Sequence, residues 1–243
     1  MPMANKYYKT GINRTSAVKE LFNNIAASYD LINDIQSFGL HRIWKKKLIK
    51  LTKCQLNKSV IDFCCGTGDL SIAAAKTGAK VIGIDISQSM LEIAKARSSK
   101  CKFHPPKVAP EFLQTDVLQT PFESDSVDIV LVAYGLRNLA QIDKGVMEAF
   151  RLLKPNGVFG SLDFSIPESL LCKWIYFQYL KYIVPQIGKL LSGDKEAYSY
   201  ILESLKTFPE PLKISSMCKE IGFSNVQIKK IFCGTMFIIL AYK

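Results

Sequence analysis

Asp62-Phe63-Cys64-Cys65-Gly66-Thr67-Gly68-Asp69, with Asp85 and Asp116 downstream, are the residues of this 243-residue chain whose types and spacing suit ligand chemistry. Gly66 and Gly68 follow a short apolar run. There they let the backbone turn sharply, approach a ligand closely and expose amide N–H groups at the next helix. An ordinary tight turn between strand and helix asks for the same glycines. Asp85 closes the next apolar run, 17 residues beyond Gly68, where a carboxylate accepts both hydroxyls of a ribose diol. Asp116 ends a third run, Leu113-Gln114-Thr115-Asp116-Val117, in place to receive an adenine amino group, with Val117 offering backbone contact. A dinucleotide turn would carry a third glycine where Ser71 stands. Asp62, Gly66, Thr67, Gly68, Asp85, Asp116 and Val117 are therefore the expected contacts of a nucleoside cofactor, and S-adenosyl-L-methionine is favoured over a dinucleotide.

The elements that must position these residues follow from hydrophobic period. Short apolar runs at Val60–Phe63, Val81–Asp85, Phe112–Thr115, Val127–Val132 and Val158–Leu162 read as strands. Helical patterns lie between them at Leu70–Lys76, Met90–Ala96 and Val146–Leu153, with a turn at Lys154-Pro155-Asn156-Gly157. This alternation predicts parallel strand–helix–strand units. At the C-terminal end, Val226–Phe232 and Met236–Ala241 are separated only by Cys233-Gly234-Thr235, too short for a crossover, so they must form an antiparallel hairpin. The expected fold is a Rossmann-like α/β domain of the class I methyltransferase kind. It has a seven-stranded, mostly parallel sheet, helices on both faces and a C-terminal antiparallel hairpin. One domain spans 1–243, with an N-terminal helical lid at 1–53 (helices expected at 15–28 and His41–Leu51). A helical insertion at 164–210 is expected over the substrate site, and a polar loop at Ser98–Pro110 contains Pro105-Pro106.

Composition narrows the setting. The seven cysteines form no Cys-x-x-Cys pair or even framework, and only His41 and His104 accompany them. A disulfide scaffold and a zinc site are both disfavoured, so no metal is expected. No apolar run reaches about 18 residues, and Met1 to Glu20 lacks the apolar centre of a secretion signal, so a cytoplasmic protein is expected. The net charge of +11 suits an anionic surface or simply a solvated exterior. The lysines are dispersed, and no appended RNA module is evident; a nucleic-acid partner is not expected.

Longer motifs carry a resemblance. Tyr29-Asp30-Leu31-Ile32-Asn33-Asp34 and Ser37-Phe38-Gly39-Leu40-His41-Arg42-Ile43-Trp44-Lys45 match the N-terminal signature of one family. Gly66-Thr67-Gly68-Asp69-Leu70, Tyr134-Gly135-Leu136-Arg137-Asn138, Leu152-Leu153-Lys154-Pro155, Leu162 to Pro167, Tyr198 to Ser204 and Met217 to Phe223 continue the match. From about residue 15 to the last strand, the chain resembles the demethylmenaquinone and ubiquinone-biosynthesis C-methyltransferases. It departs from their pattern at Ala133, where they often carry Ser, at Asp163, where they carry Glu, and at the bulkier Cys64-Cys65.

The resemblance implies methyl transfer from S-adenosyl-L-methionine to a ring carbon of a polyprenylated quinol, demethylmenaquinol foremost. Such a carbon becomes nucleophilic when its neighbouring hydroxyl, of ordinary pKa ~10, loses its proton. Arg137 is the expected stabiliser of the phenolate, Asn138 a positioner of a ring oxygen, and Tyr29 a substrate contact from the lid. Arg137 and Asn138 would equally suit a helix cap. His41 reads as a structural or lid contact, and Asp163 as a partner for Arg137 or a strand end. The aromatics and lysines from Trp174 to Leu191 would line a tunnel for the prenyl tail, rest transiently on a membrane surface, or pack as core. A peripheral association with the inner membrane surface and a homodimer are compatible with all of this. The competing readings are another lipid or small-molecule acceptor and, from charge alone, RNA.

Overall fold

The computed structural model describes residues 7, 13–105, 107–192 and 195–243, without the side chains of 191–192 and 195–199. Pro106 and the side chains of Tyr198 and Ser199, singled out above, lie outside the described residues. Seven strands form one sheet: β1 Ser59–Phe63, β2 Lys80–Asp85, β3 Glu111–Gln114, β4 Val127–Ala133, β5 Leu153–Phe164, β6 Asn225–Ile231 and β7 Met236–Tyr242. Their order is β3-β2-β1-β4-β5-β7-β6. β1 to β5 run parallel, and β7 is antiparallel to both β5 and β6. This is the expected seven-stranded sheet with its C-terminal hairpin.

The strands read as continuous apolar runs because both faces are covered. Alternate residues serve opposite sides. Ile61, Phe63, Val130, Val132, Phe159 and Ile239 pack against α5 (Ile142–Leu152) and α9 (Pro211–Ile221). Val60, Ile129, Leu131, Val158 and Ile238 pack against α2 (Leu40–Leu51) and α3 (Asp69–Ala75). A third cluster joins α1 (Asn13–Ser37), through Val18, Leu21 and Ile25, to Met90 of α4 (Gln88–Ser99) and Val184 of α7 (Val184–Ser192). α6 (Leu170–Gln178), a single π-turn at Tyr179–Ile183, α7 and α8 (Lys195–Thr207) make up the helical segment expected at 164–210.

Three local expectations change. The first helix does not stop near residue 28 but continues to Ser37, so that the Tyr29–Asp34 motif is helical. The Lys154–Gly157 turn becomes a break in the register of β5, between the pairs Val127–Leu153 and Ile129–Val158. Its Asn156 and Gly157 bond to Lys243 instead. α9, for which the sequence reading had no element, starts at Pro211, where the missing N–H costs nothing. Among the described residues no helix is long and apolar enough to cross a membrane.

Candidate active site

The loop after β1 owes its shape to three left-handed residues, Cys64 (φ 51°), Gly66 (φ 54°) and Gly68 (φ 76°). The glycines differ in their surroundings. A Cβ on Gly68 would come 2.9 Å from Ala94 and Phe112, so there the missing side chain serves helix packing. A Cβ on Gly66 would meet only Tyr29, at 4.0 Å, and would otherwise project into open cleft. The Gly66 amide donates to Asp85 Oδ2 at 2.9 Å, and the Ser87 amide donates to Asp85 Oδ1 at 2.9 Å. These bonds orient the carboxylate at the sheet's carboxyl edge while leaving acceptor lone pairs free. Burial pushes its pKa up, against the lowering by those amides. Asp116 is oriented likewise, accepting from the Leu118 amide at 2.9 Å.

Gly66, Asp85, Ile86, Asp116, Val117 and Ala133 line one cleft. Two acids lining one cleft, apolar walls at Ile86 and Val117, and a glycine that admits close approach fit the nucleoside and amino-acid ends of S-adenosylmethionine. Asp62, Thr67 and Gly68 are absent from this lining, Gly68 being packed on Ala94 and Phe112. Asp62 is buried beneath the loop and accepts from Ser71 Oγ at 2.5 Å; burial raises its pKa to about 7. Thr67 turns the other way, donating to Asp30 Oδ1 at 2.6 Å and accepting from Arg97 at 3.0 Å.

That contact belongs to a charge network tying α1 and α2 to the loop. Asp69, at the start of α3, is paired with Lys45 and Arg97 at 3.0 Å and with Arg42 at 3.2 Å. Arg97 also pairs with Asp30 at 3.0 Å, and Arg42 with Asp34 at 2.8 Å. Burial would raise Asp69, but Lys45, Arg97 and Arg42 hold it well below the usual carboxylate range. His41 Nε2 lies 2.8 Å from Asp34, and burial lowers its pKa, so it stands in the network as a neutral structural partner. Arg97 was missed in the sequence, and Asp69, named there only as part of the glycine motif, was given no role in such a network. Arg97 sits on an ordinary helix, and its partners are about 30 and 65 residues away.

Beyond the cleft lies a second cavity of about 380 Å³, sharing the walls Phe22, Tyr29 and Tyr134 with the first. Its lining is overwhelmingly apolar: Leu21, Ile25, Trp44, Phe164, Leu180 and Val184 are representative. Arg137 is buried at its inner end. The guanidinium donates to Asp163 Oδ1 at 2.8 Å and to the Tyr134 carbonyl at 2.6 Å, and lies 4.7 Å over the Phe164 ring. Its Nε has no partner, nor has the hydroxyl of Tyr176. Asp163 is fully buried and also accepts from the Phe164 amide, so it positions Arg137 and more than ends its strand. Asn138 lines the first cleft, donating to the Tyr134 carbonyl at 3.2 Å with its Oδ1 unpartnered. Neither Arg137 nor Asn138 caps α5, whose N-cap is Gln141. Burial raises the pKa of Tyr29, which keeps its hydroxyl protonated between the two spaces.

The 164–210 segment divides its aromatics. Tyr176 and Tyr179 line the cavity, while Trp174 is 63% exposed. Tyr176 had no separate signal in the sequence, since a helix of aromatics points some inward under any reading.

The family model for the ubiE/COQ5 methyltransferase family matches residues 9–243. The ubiquinone/menaquinone biosynthesis C-methyltransferase UbiE of Rickettsia bellii (strain OSU 85-389) is 36% identical over 237 residues, covering 95% of this chain and 94% of that one. A demethylmenaquinone methyltransferase of Staphylococcus aureus (strain JH9) is 34% identical over 230 residues, covering 93% and 92%. Among solved structures, a putative S-adenosyl-L-methionine-dependent methyltransferase of Methanococcus maripaludis superposes with a TM-score of 0.64. It is 20% identical and covers 91% of this chain and 94% of that one, a likeness of fold. With that family match spanning nearly the whole chain, the protein belongs to the ubiE/COQ5 methyltransferase family and is an S-adenosylmethionine-dependent methyltransferase.

Proposed function

We propose that the protein methylates a ring carbon of a polyprenylated quinol, with demethylmenaquinol as the foremost acceptor. The observation that carries this reading is the apolar cavity opening off the donor cleft, with Arg137 Nε and Tyr176 OH buried and unpartnered in its wall. A ring bearing two oxygens and a long hydrocarbon tail matches such a lining. The names of the two relatives above support the same class of acceptor.

In this reading Gly66, Asp85, Asp116 and Val117 hold the donor, whose sulfonium supplies an electrophilic methyl group, while Gly68 shapes the turn by close packing on Ala94 and Phe112. Asp62 and Thr67 act from behind, Asp62 through Ser71 and Thr67 through Asp30. Arg137, aligned by Asp163, draws the quinol hydroxyl's pKa down and stabilises the phenolate; Asn138 Oδ1 and the neutral Tyr29 hydroxyl fix the ring between the two spaces. Alignment and water exclusion by α1 supply much of the remaining rate. α1 and α2 act as the lid, and α6 to α8 as the tail's enclosure. The outer side of α6 exposes Leu170 (83%), Leu171 and Trp174, with Lys173 beside them, a face suited to transient contact with an anionic lipid surface during loading.

The test is transfer of labelled methyl to demethylmenaquinol, to a prenylated benzoquinol precursor and to bulk RNA, under reducing conditions. Transfer to a quinol, with demethylmenaquinol the better acceptor, is expected. Transfer to RNA alone overturns the reading.

A further inference from the structure

Cys172 and Cys233 meet in the lining of the apolar cavity, on two segments that are tied together. Cys172 lies in the first turn of α6, where its amide donates to the N-cap Ser169 hydroxyl at 3.5 Å. Cys233 lies in the turn between β6 and β7, exposed, with a φ of 53°. The Ser165 amide donates to the Thr235 carbonyl at 2.8 Å. Lys230 pairs with Glu168, and a Cβ on Gly234 would stand 3.8 Å from Pro167 Cα. Across this seam the neighbouring Cys172 thiol pushes the pKa of the Cys233 thiol up. Both cysteines line the cavity beside Phe38, Ile175 and Phe232, which are themselves largely exposed and so mark its mouth.

The other five cysteines are differently placed. Burial raises the thiols of Cys54, Cys64, Cys65 and Cys218, the last to about 12, and Cys101 lines neither cavity. A thiol held protonated by burial is a poor nucleophile. The pair at the mouth is the one set of thiols that combines access, a neighbouring thiol on the facing segment and a place on the acceptor's path.

We propose that Cys172 and Cys233 form a dithiol redox site that reduces an oxidised quinone at the cavity mouth and closes to a disulfide in doing so. This rests on the quinol reading above. Two S–H bonds break and one S–S bond forms; the two electrons and two protons released convert the two carbonyls of the quinone to the hydroxyls of a quinol. The consequence bears on methyl transfer, because only the reduced ring has an electron-rich carbon to offer a methyl cation. The disulfide then links α6 to the β6–β7 turn across the mouth until an external thiol reopens it by exchange.

The experiment uses the full-length protein, reduced, freed of reductant and kept anaerobic without methyl donor. The probe is tetramethyl-1,4-benzoquinone, which has no open ring carbon for a thiol to arylate. The expected result is one equivalent of quinol by absorbance, and a Cys172–Cys233 crosslinked peptide by mass mapping that dithiothreitol removes. Cys172→Ser and Cys233→Ser, checked for native circular dichroism, each lose the crosslink and lower the quinol yield by about tenfold or more. Unchanged thiols, a crosslink through another cysteine, or equal quinol yield from the variants overturns the proposal. Because no methyl is transferred, the two readings fail separately. A protein that methylates quinols with its thiols untouched refutes only the redox site, and one that forms the disulfide but methylates no quinol refutes only the acceptor.

Discussion

Arg137 and Asp163 form a buried ion pair at 2.8 Å, and this sets how a mutation there must be read. Removing the cation strands a fully buried carboxylate, which costs about 3–5 kcal/mol when a buried pair is broken. Arg137→Ala is therefore expected to melt lower and to lose about 10²–10³-fold in kcat, while donor affinity by calorimetry stays nearly unchanged. The double variant Arg137→Ala/Asp163→Asn separates the two effects. It should recover much of the melting temperature and none of the turnover; recovered turnover would make the arginine merely structural. Asp62 offers a pH test. Its carboxyl, ordinarily near 3.8, is raised by burial to about 7 in the folded protein. Between those values the native state holds a proton that the unfolded chain has lost, so Asp62 makes stability fall as pH rises through that window. Asp62→Asn keeps an acceptor for Ser71 and removes the titration. It is expected to match the parent near pH 4, to melt several degrees higher at pH 8, and to bind the donor as before, since Asp62 does not line the cleft.

The elements around the glycine loop are joined through charge. α1, α2, α3 and α4 each contribute one partner or more to the Asp69 network, so the loop's conformation and the positions of α1 and α2 are one structural variable. Asp69→Ala leaves Lys45, Arg42 and Arg97 without their common acceptor. Arg42 is 41% exposed and stays partly solvated, so the expected loss is about 2–3 kcal/mol rather than the full cost of a buried pair. Hydrogen exchange should quicken in α1 and α2 before the sheet, and donor affinity should fall with it. Unchanged exchange in α1 would mean that the apolar contacts of Val18, Leu21 and Ile25 alone hold the lid. Part of this was readable in advance. The Tyr29–Asp34 and Phe38–Lys45 motifs announced a special N-terminal segment, but not its partners, because Arg97 and Asp69 are bound to it by nothing local.

For the molecule as a whole, two spaces share one wall, and the proposed acceptor would place its tail in the larger. Each buried methylene is worth about 0.8 kcal/mol, so lengthening a soluble quinol by its first isoprene unit should lower KM by at least about tenfold. Further units should bring diminishing gains once the roughly 380 Å³ cavity is full. The check is kcat and KM across a tail-length series; a KM indifferent to the first unit would place the tail outside the cavity.

Periodicity and turn chemistry were enough to read the sheet, because each strand's apolar run and the short β6–β7 connection are local facts with few topological solutions. That Asp85, Asp116 and Gly66 would share one cleft was likewise legible, since a strand end and the following turn carry their own positions. Local pattern did not reveal that Asp62 and Thr67 face away from the cleft, or that the first helix runs on to Ser37. Nor did it reveal that Lys154–Gly157 pairs with the chain's end, or that Cys172 and Cys233 share a seam. Those depend on which way a side chain turns once distant segments pack. Spacing along the chain carries no information about contacts between residues 60 positions apart, so only the tertiary structure decides them.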